Sequence, residues 1–345
     1  MPKDGFWVSR PTLVTGATGL MGGWLVERLL EEGAEVVALV RDGVPNSLAT
    51  EKGLLDRVKV VRGELEDFRT IRRSMADYSI DTVFHLAAQP LVGVAKIDPL
   101  STLEANVRGT WNVLEAARLC GTKQVVVASS DKAYGASDAL PYLETHPLQG
   151  RFPYDVSKSC ADLITQMYAA TYALPVCIAR CANLFGGGDL NFSRVIPGAI
   201  QATLNGERFV VRSDGRFIRG FLYVRDAAEA YLCLARALAE DRTLAGEAFN
   251  FGLDDKLTVL QIIEMVLRVL DRSDLRPQIL NGASSEIREQ YLSSEKARTR
   301  LGWTPMYSIE DGLRETVEWY RARINSAGSE SGEPYAVLSK APGVR

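Results

Sequence analysis

The chain has 345 residues, of which 46% are hydrophobic and 24% charged, and a formal net charge of −3. That length carries enough apolar surface for one large or two modest domains. Charges of both signs are interspersed and no basic block stands out, so nucleic acid is not an expected partner.

The first half alternates short β-branched runs with amphipathic stretches. Thr12-Leu13-Val14 reads as a strand, followed by a helical pattern from Leu20 to Glu32 and a second strand at Glu35–Val40. Val58–Val61 is next, then a helix over Phe68–Ala76, a strand at Thr82–Leu86, a helix over Leu100–Leu119 and a strand at Gln124–Ala128. Continuously apolar strands separated by helices predict an α/β fold, a parallel sheet covered on both faces. Ligands of such sheets bind beyond the carboxyl ends of the strands. Function is therefore expected at Thr15–Gly22, Arg41, Glu64, Ala87–Pro90 and Ser129–Lys132. A long helix over Tyr154–Tyr172 and one more buried strand, Val176–Arg180, close this half. Beyond about Ala182 the elements become shorter and mixed, which suits a smaller domain over residues 183–325 whose chain crosses back toward 1–182. Residues 326–345 are rich in Ser, Gly, Glu and Pro and read as a disordered tail.

The five cysteines (Cys120, Cys160, Cys177, Cys181, Cys233) form no CxxC pair, and His85 and His146 lack metal-ligand spacing, so no disulfide framework and no metal are expected. No apolar run approaches membrane-spanning length, and Met1–Pro11 lacks the order of a signal peptide. A cytoplasmic protein is the expectation.

Gly16-Ala17-Thr18-Gly19-Leu20-Met21-Gly22 lies between the first strand and the first helix. Glycines so placed permit a tight turn and let backbone amides approach a pyrophosphate at the helix N-terminus. At the end of the second strand, Asp42 is positioned to hold the ribose 2′-hydroxyl of NAD, while the preceding Arg41 would suit the 2′-phosphate of NADP. Tyr154 and Lys158, four residues apart, share one helix face. A lysine ammonium beside a phenol favours phenolate, the form that can take a proton. Ser130, in Ser129-Ser130-Asp131-Lys132, ends the strand just upstream and supplies a hydroxyl for the same substrate oxygen.

The GxxGxxG loop with this Ser…Tyr…Lys set resembles the extended short-chain dehydrogenase/reductases, the NAD-dependent epimerase/dehydratase family. The resemblance runs from Leu13 to about Tyr320 and includes His85-Leu86-Ala87-Ala88, Asn106-Val107-Arg108-Gly109-Thr110, Phe221-Leu222-Tyr223-Val224-Arg225-Asp226 and Leu301-Gly302-Trp303-Thr304-Pro305. It implies a Rossmann-type doubly wound sheet with a smaller C-terminal substrate domain, and a homodimer paired through the helices near 100–119 and 154–172. It also implies a cofactor site at Gly16, Thr18, Gly19, Leu20, Met21, Gly22, Arg41, Asp42, Glu64, Leu65, Leu86, Ala87, Ala88, Gln89, Asn106, Tyr154 and Lys158. A nucleotide-diphosphate sugar would meet Gln89, Ser130, Asn183, Val195 and Arg219, the arginine fork suiting a diphosphate.

Asp131-Lys132 is similar to the pair found in the CDP-glucose 4,6-dehydratases, as are Gly22-Gly23-Trp24-Leu25, Ala87-Ala88-Gln89-Pro90-Leu91-Val92 and Asn183-Leu184-Phe185-Gly186-Gly187-Gly188-Asp189. A 4-keto group acidifies the C5 proton, so elimination needs one base at C5 and one acid at the departing 6-hydroxyl. The resemblance gives Asp131 the acid role and Lys132 the proton transfer at C5, the latter with a pKa lowered by burial beside Lys158. A 4-epimerase, which only oxidises and re-reduces C4, would leave both as bystanders. A non-catalytic dinucleotide-binding regulator is a third reading, at odds with the retained Tyr154 and Lys158. The nucleotide base and the hexose stay open.

Overall fold

The computed structural model describes residues 5–282 and 287–331. Its strands are β1 (Pro11–Thr15), β2 (Glu35–Val40), β3 (Lys59–Arg62), β4 (Thr82–His85), β5 (Gln124–Ala128), β6 (Val176–Cys181), β7 (Asn183–Phe185), β8 (Val210–Val211), β9 (Ile218–Arg219), β10 (Phe221–Tyr223), β11 (Ala248–Phe251), β12 (Leu257–Thr258), β13 (Gln278–Ile279) and β14 (Glu289–Gln290). Seven of them form one sheet in the order β11-β6-β5-β4-β1-β2-β3, and every pairing in it is parallel.

Alternation along these strands sorts their side chains into two layers. Val14, Phe84, Val126, Cys177 and Phe249 enter one core, together with the helices Leu20–Glu31 and Val224–Glu240. Leu13, Val83, Val125, Val127 and Val176 enter the other, beneath the helices Phe68–Asp77, Gly109–Cys120 and Pro153–Tyr172. Both faces are dry, which is why the strands read as unbroken apolar runs, and the expected doubly wound Rossmann-type sheet is what forms. The strand order reverses between β1 and β4, and ligand crevices of such sheets open there.

After Ala182 the chain builds small sheets, β10-β7, β12-β9-β14 and β13-β8, yet returns to the main sheet through β11. The stretch expected as one helix over Leu100–Leu119 is divided into Pro99–Leu103, a wide π-type turn at Glu104–Arg108, and Gly109–Cys120. The turn directs Asn106 inward, where its carboxamide accepts from the Gln89 amide at 2.7 Å and donates to Ser157 Oγ at 2.8 Å. A local widening of this kind is a frequent feature of functional sites. The final helix, Ile309–Ser331, continues past residue 326, where composition suggested a tail; residues 332–345 lie outside the described residues.

The helix Pro153–Tyr172 is locked to the sheet by a buried ion pair. Arg180 on β6 donates from Nε and Nη2 to the two oxygens of Asp162 at 2.8 and 2.9 Å, and their side chains are 3% and 0% exposed. Removing one partner of such a pair strands a charge in a dry site. Arg180→Met alone should therefore lower unfolding free energy by about 3–5 kcal/mol, and adding Asp162→Leu should restore most of that loss. Urea denaturation of the two variants checks this, and equal destabilisation in both would contradict it.

Candidate active site

The loop after β1 is shaped by absent side chains. Gly16 has φ +76°, and a Cβ there would lie 2.8 Å from the Ala87 nitrogen. A Cβ on Gly22 would lie 2.0 Å from the Gly16 carbonyl oxygen. Gly19 caps the following helix without a side-chain hydrogen bond, so the first amides of that helix keep their donors for a ligand. This cradle fits the pyrophosphate of a dinucleotide. Thr18 and Leu20 are half-buried beside it and Met21 is buried.

Thr15, at the end of β1, accepts from the Leu86 and Ala87 amides at 3.1 Å each and lies 2.9 Å from His85 Nδ1. His85 Nε2 is 3.1 Å from the Thr110 hydroxyl, which spends its own proton on the Asn106 carbonyl at 2.6 Å. Nε2 must therefore carry the ring proton and Nδ1 accept from Thr15, a neutral tautomer. Burial, with a smaller contribution from the Lys158 charge, pulls the His85 pKa down to about 3. His85 is thus the fixed joint between β1, β4 and the π-type turn.

The remaining expected cofactor residues lie along the same sheet edge. Arg41 and Asp42 bond each other at 2.6 Å, with side chains 65% and 63% exposed, so neither is committed to the interior. Glu64 is exposed; Leu65 is buried, and its carbonyl accepts from Asn112 Nδ2 at 2.9 Å. Leu86, Ala87 and Ala88 are half-buried. The Gln89 side chain is occupied locally, donating to Thr102 Oγ1 at 3.0 Å and accepting from the Leu91 amide at 2.6 Å.

Beyond β5 the chain turns through Asp131–Tyr134, capped by Ser130. The Ser130 hydroxyl accepts from the Lys132 amide at 3.3 Å and donates to Asp131 Oδ1 at 3.1 Å. Asp131 is 2% exposed, and its other oxygen has no partner; Ser129 Oγ is likewise buried without one. Burial raises the Asp131 pKa against the opposing charge of Lys132 and the hydrogen bond from Ser130. Asp155, on the Tyr154 helix, is pushed up to about 6, by burial first, with Lys132 opposing and Asp131 adding.

The two lysines of this cluster are each held by a neutral oxygen. The Lys158 ammonium donates to the Ala128 carbonyl at 2.8 Å rather than to the Tyr154 phenol. Burial pushes Tyr154 up to about 12, opposed by the charge of Arg194 and a hydrogen bond with Ser130, and pulls Lys158 down to about 8. The ligand-free site thus favours the neutral phenol, because dehydration penalises phenolate and ammonium alike. Lys132 does not sit against Lys158: it is half-buried, and its Nζ crosses to the small sheet to donate to Gln290 Oε1 at 2.9 Å.

From the smaller sheets, Arg219 on β9 donates to the Ile218 and Arg288 carbonyls at 2.9 and 3.2 Å, and its charge reaches Asp131. Asn183 donates from Nδ2 to the Gly220 carbonyl at 2.9 Å. Val195 opens the helix Val195–Leu204 immediately after Arg194, which pairs with Asp189 at 3.0 Å and also acts on Tyr154. The fold therefore brings Ser130, Asp131, Lys132, Tyr154 and Arg219 into one interacting cluster, with Lys158 on the Ala128 carbonyl at the end of β5. Arg194, Asp155 and Gln290 join them unforeseen. Arg194 could have been suspected as the cation preceding Val195; Gln290 had no local signal.

Residues 12–252 match the model of the NAD dependent epimerase/dehydratase family, and the chain belongs to it. The CDP-glucose 4,6-dehydratase of Salmonella typhimurium is 31% identical over 99% of this chain and 97% of its own. Among solved structures, dTDP-glucose 4,6-dehydratase DesIV of Streptomyces venezuelae, with NAD and TYD bound, superposes with TM-score 0.82 at 28% identity, covering 92% of this chain and 98% of that one. The UDP-glucose 4-epimerase of Thermotoga maritima, with UDP-glucose, gives 0.81 at 27% identity, covering 90% and 99%. None of the described helices is long and apolar enough to cross a membrane.

The depressed His85 pKa has a stability consequence. Between about 6.5 and about 3 the unfolded histidine binds a proton that the folded one refuses, so His85 stabilises the fold at neutral pH and that contribution is lost as pH falls. Asp131 and Asp155, raised on folding, act in the opposite sense, so the comparison must be between variants. His85→Gln should flatten the acid limb of a melting-temperature profile by up to about 1.4 kcal/mol per pH unit relative to wild type. Parallel profiles would show that His85 takes up its proton at the same pH in the folded and unfolded chains.

Proposed function

We propose that the chain is an NAD-dependent nucleotide-sugar 4,6-dehydratase, with CDP-glucose as its first candidate substrate. The observation that carries this reading is the buried Asp131 carboxyl, held by Ser130, raised in pKa and left with one unpartnered oxygen, beside Lys132 and the Tyr154 crevice. A 4-epimerase has no use for a carboxyl drawn toward its acid form there; an elimination does. The similarity to the Salmonella enzyme over nearly the full length of both chains supports the same choice.

Residues of the glycine cradle, Asp42, and the segment Leu86–Gln89 with Asn106 would hold NAD, which when bound supplies the hydride acceptor at C4 and the hydride donor at C6. The exposed Arg41–Asp42 pair favours NAD, since the arginine already has its anion. Tyr154, once it has given up its own proton, takes the 4-hydroxyl proton with Ser130 hydrogen-bonded beside it, and Lys158 balances the phenolate charge. Lys132 takes the C5 proton made acidic by the new ketone. Asp131 gives its proton to O6, so the C6–O6 bond breaks with release of water. Proton return to C5 completes a 4-keto-6-deoxyhexose. Arg219 and Asn183 are assigned to the sugar-nucleotide side and Val195 to its wall.

Chemistry of this kind suits the cytoplasm, where the five free cysteines stay reduced. We also propose a homodimer paired through the helices Gly109–Cys120 and Pro153–Tyr172. Trp111, Leu163, Met167 and Tyr172 are 42%, 53%, 42% and 50% exposed on them, large apolar side chains that a second copy would cover.

Purified protein with NAD and separate CDP-, UDP-, GDP- and dTDP-hexoses, read by mass spectrometry, tests the reaction. Loss of one water from a single substrate is expected; isomerisation without mass change would establish the epimerase instead. Tyr154→Phe should lower C4 oxidation by about 100-fold or more while sugar-nucleotide binding stays near wild type. Lys132→Ala should slow elimination more than oxidation, so that reduced nicotinamide accumulates on the enzyme.

A further inference from the structure

Gln290 is 0% exposed and lies on β14, in parallel register with Arg219 of β9. Its backbone carbonyl accepts from the Gly220 amide at 2.8 Å, so the strand needs nothing from its side chain. That side chain accepts the Lys132 ammonium at 2.9 Å through Oε1, while Nε2 is buried with no hydrogen-bond partner. An ammonium only donates, so it fixes which end of the carboxamide it meets; the NH₂ group is left over beside it. A buried, unpaired amide donor lowers stability, and a leucine of similar size would avoid that loss. Glutamine at this position therefore works against the fold and makes sense only through Lys132.

We infer that Gln290 is a positioning residue for Lys132 in the elimination step, holding the amine toward the sugar by a neutral hydrogen bond that does not pin its proton. The inference rests on the dehydratase reading. The neutrality matters. The groups around this pair are Asp131 on the same turn, Asp155 from the Tyr154 helix and Arg219 on β9. An acceptor bearing negative charge at position 290 would hold the proton that a base must shed. A carboxamide orients the amine without adding that charge. The link joins positions 132 and 290, one on the turn that carries the chemistry and the other on a small sheet of the C-terminal half. Lys132 is thereby aimed only when the two halves are docked.

The test uses the full-length enzyme with NAD and whichever NDP-hexose the wild type dehydrates, in the variants Gln290→Leu and Gln290→Glu. Gln290→Leu should melt at or above the wild-type temperature, keep its KM and the amplitude of nicotinamide reduction, and dehydrate at least about tenfold more slowly. Gln290→Glu should fold normally, slow dehydration, and move the ascending limb of that rate, on which Lys132 loses its proton, to higher pH, since a carboxylate holds that proton. Dehydration within about twofold of wild type in both variants overturns the inference. So does a lowered melting temperature in Gln290→Leu with oxidation and elimination falling together, the mark of a purely structural residue. A wild type that removes no water from any NDP-hexose overturns the dehydratase reading itself, a result read on a different protein sample and hence separable.

Discussion

The catalytic geometry depends on one guanidinium. Arg180 reaches the Asp162 carboxylate with two nitrogens and uses Nη1 for the Tyr134 hydroxyl at 2.9 Å and the Glu144 carbonyl at 3.2 Å. Asp162 is on the helix of Tyr154 and Lys158, one turn beyond the lysine. Tyr134 ends the turn that carries Asp131 and Lys132. Tyr134 in turn donates to Asn250 of β11 at 2.7 Å, and Asn250 donates to the Tyr142 carbonyl at 3.1 Å. A flexible ammonium could not span these partners; a planar fork with five donors can. Burial works against the charge of Arg180, but its hydrogen bonds to Asp162 and Tyr134 prevail and its pKa is raised. The Tyr154 phenol and the Asp131-Lys132 turn are thus referred to one rigid point in the sheet.

Dehydration is the common cause of the unusual protonation behaviour around that point. It acts on groups of both signs, raising Asp131 and Tyr154 and lowering Lys158 and His85. Polar pairing is nearly complete elsewhere in the described side chains. Of the five buried atoms without a partner, three belong to Ser129, Asp131 and Gln290, all at this crevice. Unmet hydrogen-bonding capacity concentrated at one edge of the sheet is the expected signature of a place where a ligand completes the structure.

Much of this was legible in the sequence because the informative features are local. Apolar strands between amphipathic helices gave the parallel sheet, and glycine spacing between β1 and the first helix gave the cradle. What escaped depends on distant contacts. Strand β11 is four residues long and includes Asn250, whose polarity hides it until Tyr134 and Tyr142 are seen around it. The π-type turn at Glu104–Arg108 leaves helical composition unchanged, and its cause is the pull of Gln89 and Ser157 on Asn106. Spacing put Lys158 on the helix face of Tyr154, yet could not show that the Ala128 carbonyl would claim its ammonium. Gln290 meets Lys132 across 158 residues, which no window along the chain can contain.

The scaffold alone does not choose between the two reactions of the family. A 4-epimerase and a 4,6-dehydratase superpose on this chain with TM-scores of 0.81 and 0.82, so cradle, phenol and lysine can serve either. What differs must be small and close to the sugar. Asp131 and Lys132 meet that requirement, because the Ser130 cap fixes both on one short turn whose environment treats them differently. The carboxyl is enclosed and drawn toward its neutral acid form; the amine extends to the small sheet and keeps partial access to solvent. Two adjacent residues are thereby placed in different surroundings, the carboxyl enclosed and the amine reaching across to Gln290. Oxidation at C4 needs neither, whereas removing water across C5 and C6 needs an acid and a base, and the chain sets both residues beside the Ser130 hydroxyl.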